Sequence, residues 1–204
     1  MNIRVKNVRG SYLKLRQAEV PPSGQGEAKF SGNFIGSDDS TVSIDGGKTW
    51  KPFVAGMEEA IEKTMKARFN GKVPVKMENW AFAKADGSGT RNMMADDDGV
   101  YKDGYTAETY YLVATKTESK SPGGIKVFDQ LRQPLPAESG RPVSGDYINV
   151  NIYLHAYDSP GNGKGVTAFL EAVQFLKAGE PFGSAPVTGD AFDEEEVEEV
   201  DDNF

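Results

Sequence analysis

The chain has 204 residues, 38% of them hydrophobic, with 23 glycines, 11 prolines, no cysteine and a net charge of −8, a composition that fits one soluble, turn-rich core and favours β structure over a helical bundle. The lack of cysteine excludes disulfides, zinc fingers, iron–sulfur clusters and thiol nucleophiles, and no apolar run approaches the roughly 20 residues of a membrane span. We therefore expect no cofactor, no metal and no membrane partner, and the cytoplasm is the simplest location for such a chain.

The first 50 residues predict short strands joined by turns. Apolar and polar side chains alternate over residues 3–8, 13–15 and 29–36, the period of half-buried strands. Residues 45–49, Asp-Gly-Gly-Lys-Thr, indicate a turn and also form a fragment of a phosphate-binding loop. That motif requires a glycine where Val42 stands, so we interpret the fragment as a hairpin turn.

One amphipathic helix is predicted between Pro52 and Asn70. Its apolar residues recur every three or four positions, and its acids lie towards the start and its bases towards the end, as the helix dipole favours. Asn70-Gly71 supplies a left-handed stop. The sequence therefore predicts a single main helix in a β-rich chain.

β-like runs and polar loops follow the helix. Residues 73–77 form a β-like run, 109–115 a strand, and 85–104 a long loop with three consecutive aspartates. These aspartates do not fit a calcium-binding EF-hand, because Met94 and Tyr105 occupy its first and last ligand positions. A solvated acidic loop is the plainer interpretation.

The clearest strand covers residues 146–157, and a second core strand is predicted over 166–176. Apolar side chains on one side of the first strand alternate with tyrosine, asparagine and histidine on the other. The apolar set is Ile148, Val150, Ile152, Leu154 and Ala156. The polar and aromatic set is Tyr147, Asn149, Asn151, Tyr153, His155 and Tyr157.

The polar and aromatic side of this strand predicts a surface that binds single-stranded nucleic acid. Tyrosine rings stack on bases, while amides and lysines contact phosphate and sugar without reading sequence. The alternative is that these rings cover a second hydrophobic layer against the predicted helix. The candidate DNA-binding residues are Tyr147, Asn149, Asn151, Tyr153, Tyr157, Lys164, Trp80, Lys76, Arg91, Tyr101 and Tyr111.

Catalysis is not expected. His155 is the only histidine, and no serine lies in a G-x-S-x-G sequence, so a serine triad has no recognisable basis.

The end of the chain carries the negative charge. Residues 190–204 hold nine acids and no lysine or arginine, whereas residues 1–189 hold 23 basic and 22 acidic side chains. Because such an acidic segment cannot bury enough apolar surface to fold, we predict a DNA-binding domain over 1–183 and a flexible linker and acidic tail over 184–204.

The predicted tail ends in Asp201, Asp202, Asn203 and Phe204. An anionic strip imitates a phosphate backbone, so the tail is expected to compete with DNA for a basic groove. Asp201, Asp202 and Phe204 are the candidate docking residues for a partner protein. A tail that only solubilises the protein is the plain alternative.

Residues 145–183 resemble a block of the phage-encoded, T7-type single-stranded-DNA-binding proteins. The matching sequence is G-D-Y-I-N-V-N-I-Y-L-H-A-Y-D, then G-N-G-K-G-V-T-A-F-L-E-A-V-Q-F-L-K-A-G-E-P-F-G, and the acidic, aromatic-ended tail is a second match. The resemblance places Tyr147, Tyr153 and Tyr157 on or beside the DNA, with Lys164 in an adjoining loop, and makes Phe204 the docking residue of the tail.

The resemblance also implies a fold and a role. It implies an all-β chain, an OB-fold five-stranded barrel with long loop insertions, that coats single-stranded DNA in phage DNA replication, recombination and repair within the host cytoplasm. Phage or host replication proteins, such as a polymerase or helicase, would bind the tail, and a homo-oligomer is compatible with the pattern. Two other classes stay open: a phage protein–protein adaptor or structural protein with a solubilising tail, and an RNA-binding OB module.

Overall fold

In the computed structural model, which describes residues 1–21, 24, 26–161 and 163–183, the chain forms ten β-strands and one α-helix. The strands are β1 (Asn2–Glu19), β2 (Lys29–Ile35), β3 (Thr41–Ser43), β4 (Lys51–Pro52), β5 (Glu78–Asn79), β6 (Phe82–Lys84), β7 (Tyr110–Thr117), β8 (Lys126–Phe128), β9 (Tyr147–Ser159) and β10 (Gly163–Lys177), and the helix is α1 (Phe53–Arg68). The predicted β-rich chain with one main helix is confirmed. The predicted linker and tail, residues 184–204, lie outside the described residues.

Five long strands pair in a closed series. β1 pairs antiparallel with both β2 and β9, β2 pairs with β7, and β9 pairs with β10. One parallel residue pair, Phe169 with Thr115, joins β10 to β7, so the closure is uneven. The short strands extend the series: β5 and β8 pair with β10, β6 pairs with β7, and β3 and β4 continue outward from β1. The expectation of five strands thus accounts for the long strands and omits the short ones.

Strand β1 is continuous where two short strands were predicted, over residues 3–8 and 13–15. Asn7 and Tyr12 have positive φ angles of 54° and 49°, and the pairing register shifts beside each of them. A β-bulge inserts an extra residue and bends the strand. The bends allow β1 to pair with β9 through its first part and with β2 through its second, which brings the ends of the series together.

The helix ends where the sequence predicted. Lys66 and Arg68 lie in its last turn, and Asn70 and Gly71 adopt left-handed φ angles of 52° and 83°. No helix within the described ranges is long and apolar enough to span a membrane. The β-like run expected at 73–77 is irregular; it contains Pro74, which cannot donate a hydrogen bond to a strand ladder.

The main core lies between the inward side of β9 and the helix. The inward side chains of β9 are at most 4% exposed, and Met57 and Ile61 of α1 belong to the same cluster. None of the outward tyrosines of β9 belongs to that cluster in the described chain. The outward rings therefore do not pack as a layer beneath the helix.

A second core covers the other side of β7. Tyr105 and Tyr111 pack edge to face there, with ring centroids 5.4 Å apart, and Asn33 Nδ2 donates to the Tyr105 hydroxyl at 3.1 Å. Burial raises the pKa of Tyr105 to about 12. Because the segment from Ala85 to Tyr105 supplies much of this cluster, the long loop closes the outer side of β7 to solvent.

Candidate nucleic-acid interface

The outward side of β9 faces solvent. Asn151, Tyr153 and His155 are exposed, and Tyr147, Asn149 and Tyr157 are half-buried. At about 3.3 Å per residue the row is roughly 33 Å long. Five of the predicted site residues are therefore on one surface. We call this surface, with the outward side chains of β1 and β10 beside it, the β9 face.

The neighbouring strands add rings and cations to the β9 face. In antiparallel pairs, opposite residues project to the same side. Strand β1 places Arg4 opposite Asn151 and Arg9 opposite Tyr147, whereas β10 places Phe169 opposite Tyr153. The Tyr153 and Phe169 rings stack, with centroids 6.5 Å apart and planes 16° apart.

Five cations of the β9 face and its border have no acidic partner. None of them forms a salt bridge with a carboxylate in the part of the chain that the structure describes. At one end of the row, the Arg9 guanidinium lies 5.5 Å and the Lys177 ammonium 4.6 Å from the Tyr147 ring centroid. Cations without a carboxylate partner are open to an external anion. The five are Arg4, Lys6, Arg9, Arg132 and Lys177.

A groove of about 480 Å³ runs beside the middle of β9. Lys6 Nζ lies 4.0 Å from the centroid of the Trp50 ring, a cation–π contact. Trp50 comes from the loop between β3 and β4, and Arg132 from the segment after β8. We call this groove the Trp50 groove; its side-chain lining includes Arg4, Lys6, Trp50, Phe128, Arg132, Asn149, Asn151 and Gln174.

A second, open depression lies towards the other end of β9. It is lined by Glu78, Trp80, His155, Tyr157 and Ser159, and we call it the Trp80 patch. The Trp80 side chain is 41% exposed. Arg91 Nε donates to the Trp80 carbonyl oxygen at 2.9 Å, and Arg91 Nη2 donates to the same oxygen. Burial lowers the pKa of Arg91, and its hydrogen bonds to the carbonyl oxygen hold the Trp80 backbone in place.

Two predicted site residues have partners within the protein. Asn149 Oδ1 accepts from the Asn7 backbone N–H at 3.0 Å, and Asn149 Nδ2 donates to Gln174 Oε1 at 2.9 Å. Lys164 Nζ lies 3.8 Å from an oxygen of Asp158 and 5.3 Å from the Phe69 ring centroid.

No group of acids and histidine within the described ranges is placed to hold a metal ion.

Lys164 was expected in a loop beside the DNA, but it lies in β10, opposite Asp158 and out of phase with the outward row of β9. Lys164 and three other predicted residues do not join the β9 face. Tyr111 is 1% exposed and belongs to the second core, and half-buried Tyr101 packs against that core. Tyr111 is a residue of β7 whose ring is buried in the second core, so the expectation that it stacks on bases is wrong. For Tyr101 that expectation stays a prediction. Lys76 is exposed in the irregular segment before β5.

The sequence interpretation missed several residues of the site. Arg4 and Lys6 alternate along β1 with the buried Ile3 and Val5. This alternation could have shown that the two cations point away from the core. Trp50 gave no comparable signal, since its position depends on the fold of the preceding loop.

The last described segment, Gly179–Gly183, lies against the Tyr147 end of the face. Arg9 Nη2 donates to the Glu180 carbonyl oxygen, and the Arg9 guanidinium lies 4.2 Å from the Phe182 ring centroid. A side chain at Gly104 would overlap the Phe182 ring. The described chain therefore ends beside Arg9, with the Gly183 N–H donating to Asp103 Oδ2 at 2.7 Å.

Comparisons with known proteins identify similar proteins from bacteriophages. A family model described as "Enterobacter phage Enc34, ssDNA-binding protein" matches residues 1–204. The putative protein p50 of Acyrthosiphon pisum secondary endosymbiont phage 1 is 30% identical over 205 residues, which cover 99% of this chain and 94% of that protein.

Solved structures show the same fold at lower identity. The single-stranded DNA-binding protein from bacteriophage Enc34, in complex with ssDNA, matches with a TM-score of 0.61 and 22% identity over 89% of each chain. The single-stranded DNA-binding protein gp2.5 of bacteriophage T7 matches with a TM-score of 0.53 and 12% identity over 96% of this chain and 99% of that one.

Proposed function

This chain belongs to the family of the Enterobacter phage Enc34 ssDNA-binding protein, and we propose on that basis that it binds single-stranded DNA with little sequence preference. One observation carries the location: the stacked Tyr153 and Phe169 rings lie on the solvent-facing side of β9, and five cations without carboxylate partners lie on that face or at its border. The proposed role is binding rather than catalysis, in keeping with the descriptions of its relatives.

The fold supports this assignment. We infer that the ring of β1, β2, β7, β10 and β9 is an OB barrel, since its strand order and single parallel junction match that topology. The loop at 85–105 covers the outer side of β7. The outer surface formed by β9 with its neighbours faces solvent, and we place the DNA there.

The chemistry of the face is suited to a single strand. Arg4, Lys6 and Arg132 would contact phosphates, and each contact releases a condensed counterion. Tyr153 with Phe169, and Trp80 with Tyr157, would stack on bases, because every base presents a π face. A row of roughly 33 Å suits the roughly 4–16 nucleotides that one OB fold covers. Such contacts do not depend on base identity.

We further propose that the acidic segment 190–204 competes with DNA for these cations. Six residues, or seven Cα–Cα steps, separate Gly183 from Asp190, a reach of at most about 25 Å, and Gly183 follows the segment held beside Arg9. When DNA displaces the segment, Asp201, Asp202 and Phe204 become available to phage or host replication proteins. Replication, recombination and repair of phage DNA in the host cytoplasm are the processes that need such a protein.

Fluorescence anisotropy with labelled oligo-dT tests the proposal. The full chain should bind, and its affinity should fall linearly with salt on logarithmic axes. A 1–189 truncation should bind more tightly at low salt, and so should a full-length variant with amides in place of the nine tail acids. A truncation that binds no better than the full chain would exclude competition by the tail.

The same titration separates the other functional classes. An adaptor protein would not bind oligo-dT at any salt concentration. An RNA-binding module would prefer oligo-U over oligo-dU in direct competition, because the 2′-hydroxyl is then the only difference between the two strands.

A further inference from the structure

The loop that carries Trp50 is organised around one carboxylate, that of Asp45. Asp45 Oδ1 accepts from the Ser43 hydroxyl at 2.8 Å and from the backbone N–H groups of Lys48 and Thr49 at 3.0 Å each. Asp45 Oδ2 accepts from the Thr49 hydroxyl at 2.6 Å. These hydrogen bonds, those of Thr49 foremost, hold the pKa of Asp45 well below its ordinary value.

The turn formed by these bonds determines where the Trp50 ring lies. Ser43 Oγ, which is buried, accepts from the Gly47 N–H at 2.8 Å, and the Trp50 indole N–H donates to the Gly47 carbonyl oxygen at 3.1 Å. Gly47 has a φ of 97°, and a Cβ there would lie 3.2 Å from Arg4 Nη1. The bonds therefore connect Asp45 through Gly47 to Trp50.

The charge of Asp45 has the wrong sign for direct contact with DNA. The carboxylate is absent from the lining of the Trp50 groove, which holds Arg4, Lys6 and Arg132. Considered only as a charge, an aspartate on this loop would repel phosphate. Its four hydrogen bonds give it a different role.

We propose that Asp45 is a positioning residue for DNA binding: it fixes the turn that holds the Trp50 ring against Lys6 in the groove. The inference rests on the proposed single-stranded-DNA function. It gives the Asp-Gly-Gly-Lys-Thr sequence, which does not form a phosphate-binding loop, a role in positioning Trp50.

The direction of the effect separates positioning from charge. Asp45→Ala should weaken oligo-dT binding by about three- to tenfold, part of the roughly fivefold to 150-fold that one stacked ring contributes. Asp45→Asn keeps an acceptor oxygen for the two backbone N–H groups and should bind within about twofold of the parent, because the change is isosteric. If both variants bind more tightly than the parent, the carboxylate acts only as a charge and the proposal fails.

A double-mutant cycle tests whether Asp45 acts through Trp50. Trp50→Ala alone should weaken binding, and adding Asp45→Ala to it should change affinity by less than about twofold, because two residues of one network are not additive. Equal effects of Asp45→Ala with and without Trp50 would overturn the proposal. If the parent chain does not bind oligo-dT at all, the proposed function fails instead.

The matched control is Asp96→Ala. Asp96 is an exposed turn aspartate that accepts from the backbone N–H groups of Asp98 and Val100, but it lies beside Tyr101 and Lys102, outside the Trp50 groove. Its removal deletes the same charge and should not weaken binding.

Fluorescence quenching tests the position of the Trp50 ring directly. In a Trp80→Phe background, Trp50 is the only tryptophan, and acrylamide should quench its fluorescence more strongly after Asp45→Ala but not after Asp96→Ala. If Asp45→Ala leaves the quenching of Trp50 by acrylamide unchanged, Asp45 does not position the Trp50 ring.

Discussion

The Trp50 groove and the Trp80 patch lie along one strand, but they differ in the charge of their lining and in how their tryptophan rings are held. Among the described residues that line them, the groove has three cations and no carboxylate, whereas the patch has Glu78 and neither lysine nor arginine. The Trp50 ring donates a hydrogen bond and contacts Lys6, while the Trp80 ring is 41% exposed. The difference indicates that phosphate attraction is concentrated at the groove, and that the patch offers stacking surface with little electrostatic help.

The largest expected effect is the loss of the groove cations. The double variant Arg4→Gln/Lys6→Gln should weaken oligo-dT binding by about 3 kcal/mol at moderate salt, since a hydrogen bond to a charged group contributes about 1.5–3 kcal/mol. The slope of log affinity against log salt should fall in magnitude by about 1.4, or roughly 0.7 per lost phosphate contact on a single strand. Anisotropy titrations at four or more salt concentrations measure both quantities.

The control for this variant removes two lysines from the helix. Lys63 and Lys66 are exposed and pair with Glu59 and Glu62 on α1. Lys63→Gln/Lys66→Gln should leave the salt slope unchanged. If it lowers the slope as much as the groove variant, the net charge of the protein, rather than the groove, governs binding.

A stacked ring between the two regions should contribute the next largest effect. Tyr153 is 40% exposed and stacks on Phe169. Tyr153→Ala should weaken binding by about 1–3 kcal/mol with an unchanged salt slope, because a ring contributes stacking and no counterion release. Tyr12→Ala, at a similarly exposed ring beside Lys102, serves as the control. Lower folding stability of Tyr153→Ala with full affinity would show that the ring serves packing.

The Trp80 patch should contribute less. Trp80→Ala should weaken binding by about 1 kcal/mol, the low end for stacking, because the described side chains that line the patch include no lysine or arginine. Trp80→Phe should restore most of the affinity, since it retains a flat ring. A loss as large as that of the groove variant, with a smaller salt slope, would show that phosphates also bind at the patch.

The sequence predicted the parts of this fold that follow from local periodicity. The alternation in β9 located both the core residues and the face, because side-chain direction in a strand reverses at every residue. The end of α1 at Asn70 and Gly71 was also predictable, since a left-handed stop is a local signal.

Other parts depend on which segments meet in space. Tyr111 looked like a surface ring on a strand, but the loop from Ala85 to Tyr105 folds over it, and no local pattern shows which side of a strand a distant loop will cover. Arg4 and Asn151 are adjacent only because β1 pairs with β9. The groove was therefore missed, although each of its residues was visible in the sequence.

The smallest expected effect concerns the one carboxylate of the Trp80 patch. Glu78→Gln should tighten binding by about 0.5 kcal/mol, roughly twofold, because exposed charge interactions contribute only about 0.2–1 kcal/mol. The gain should vanish as salt rises, since the screening length falls from about 10 Å at 0.1 M to about 3 Å at 1 M. Glu62→Gln on α1 is the control, and it should have no effect at any salt concentration. If Glu78→Gln weakens binding instead, the carboxylate contacts the DNA directly, as an acceptor for a base amino group, and the patch would contribute to sequence preference.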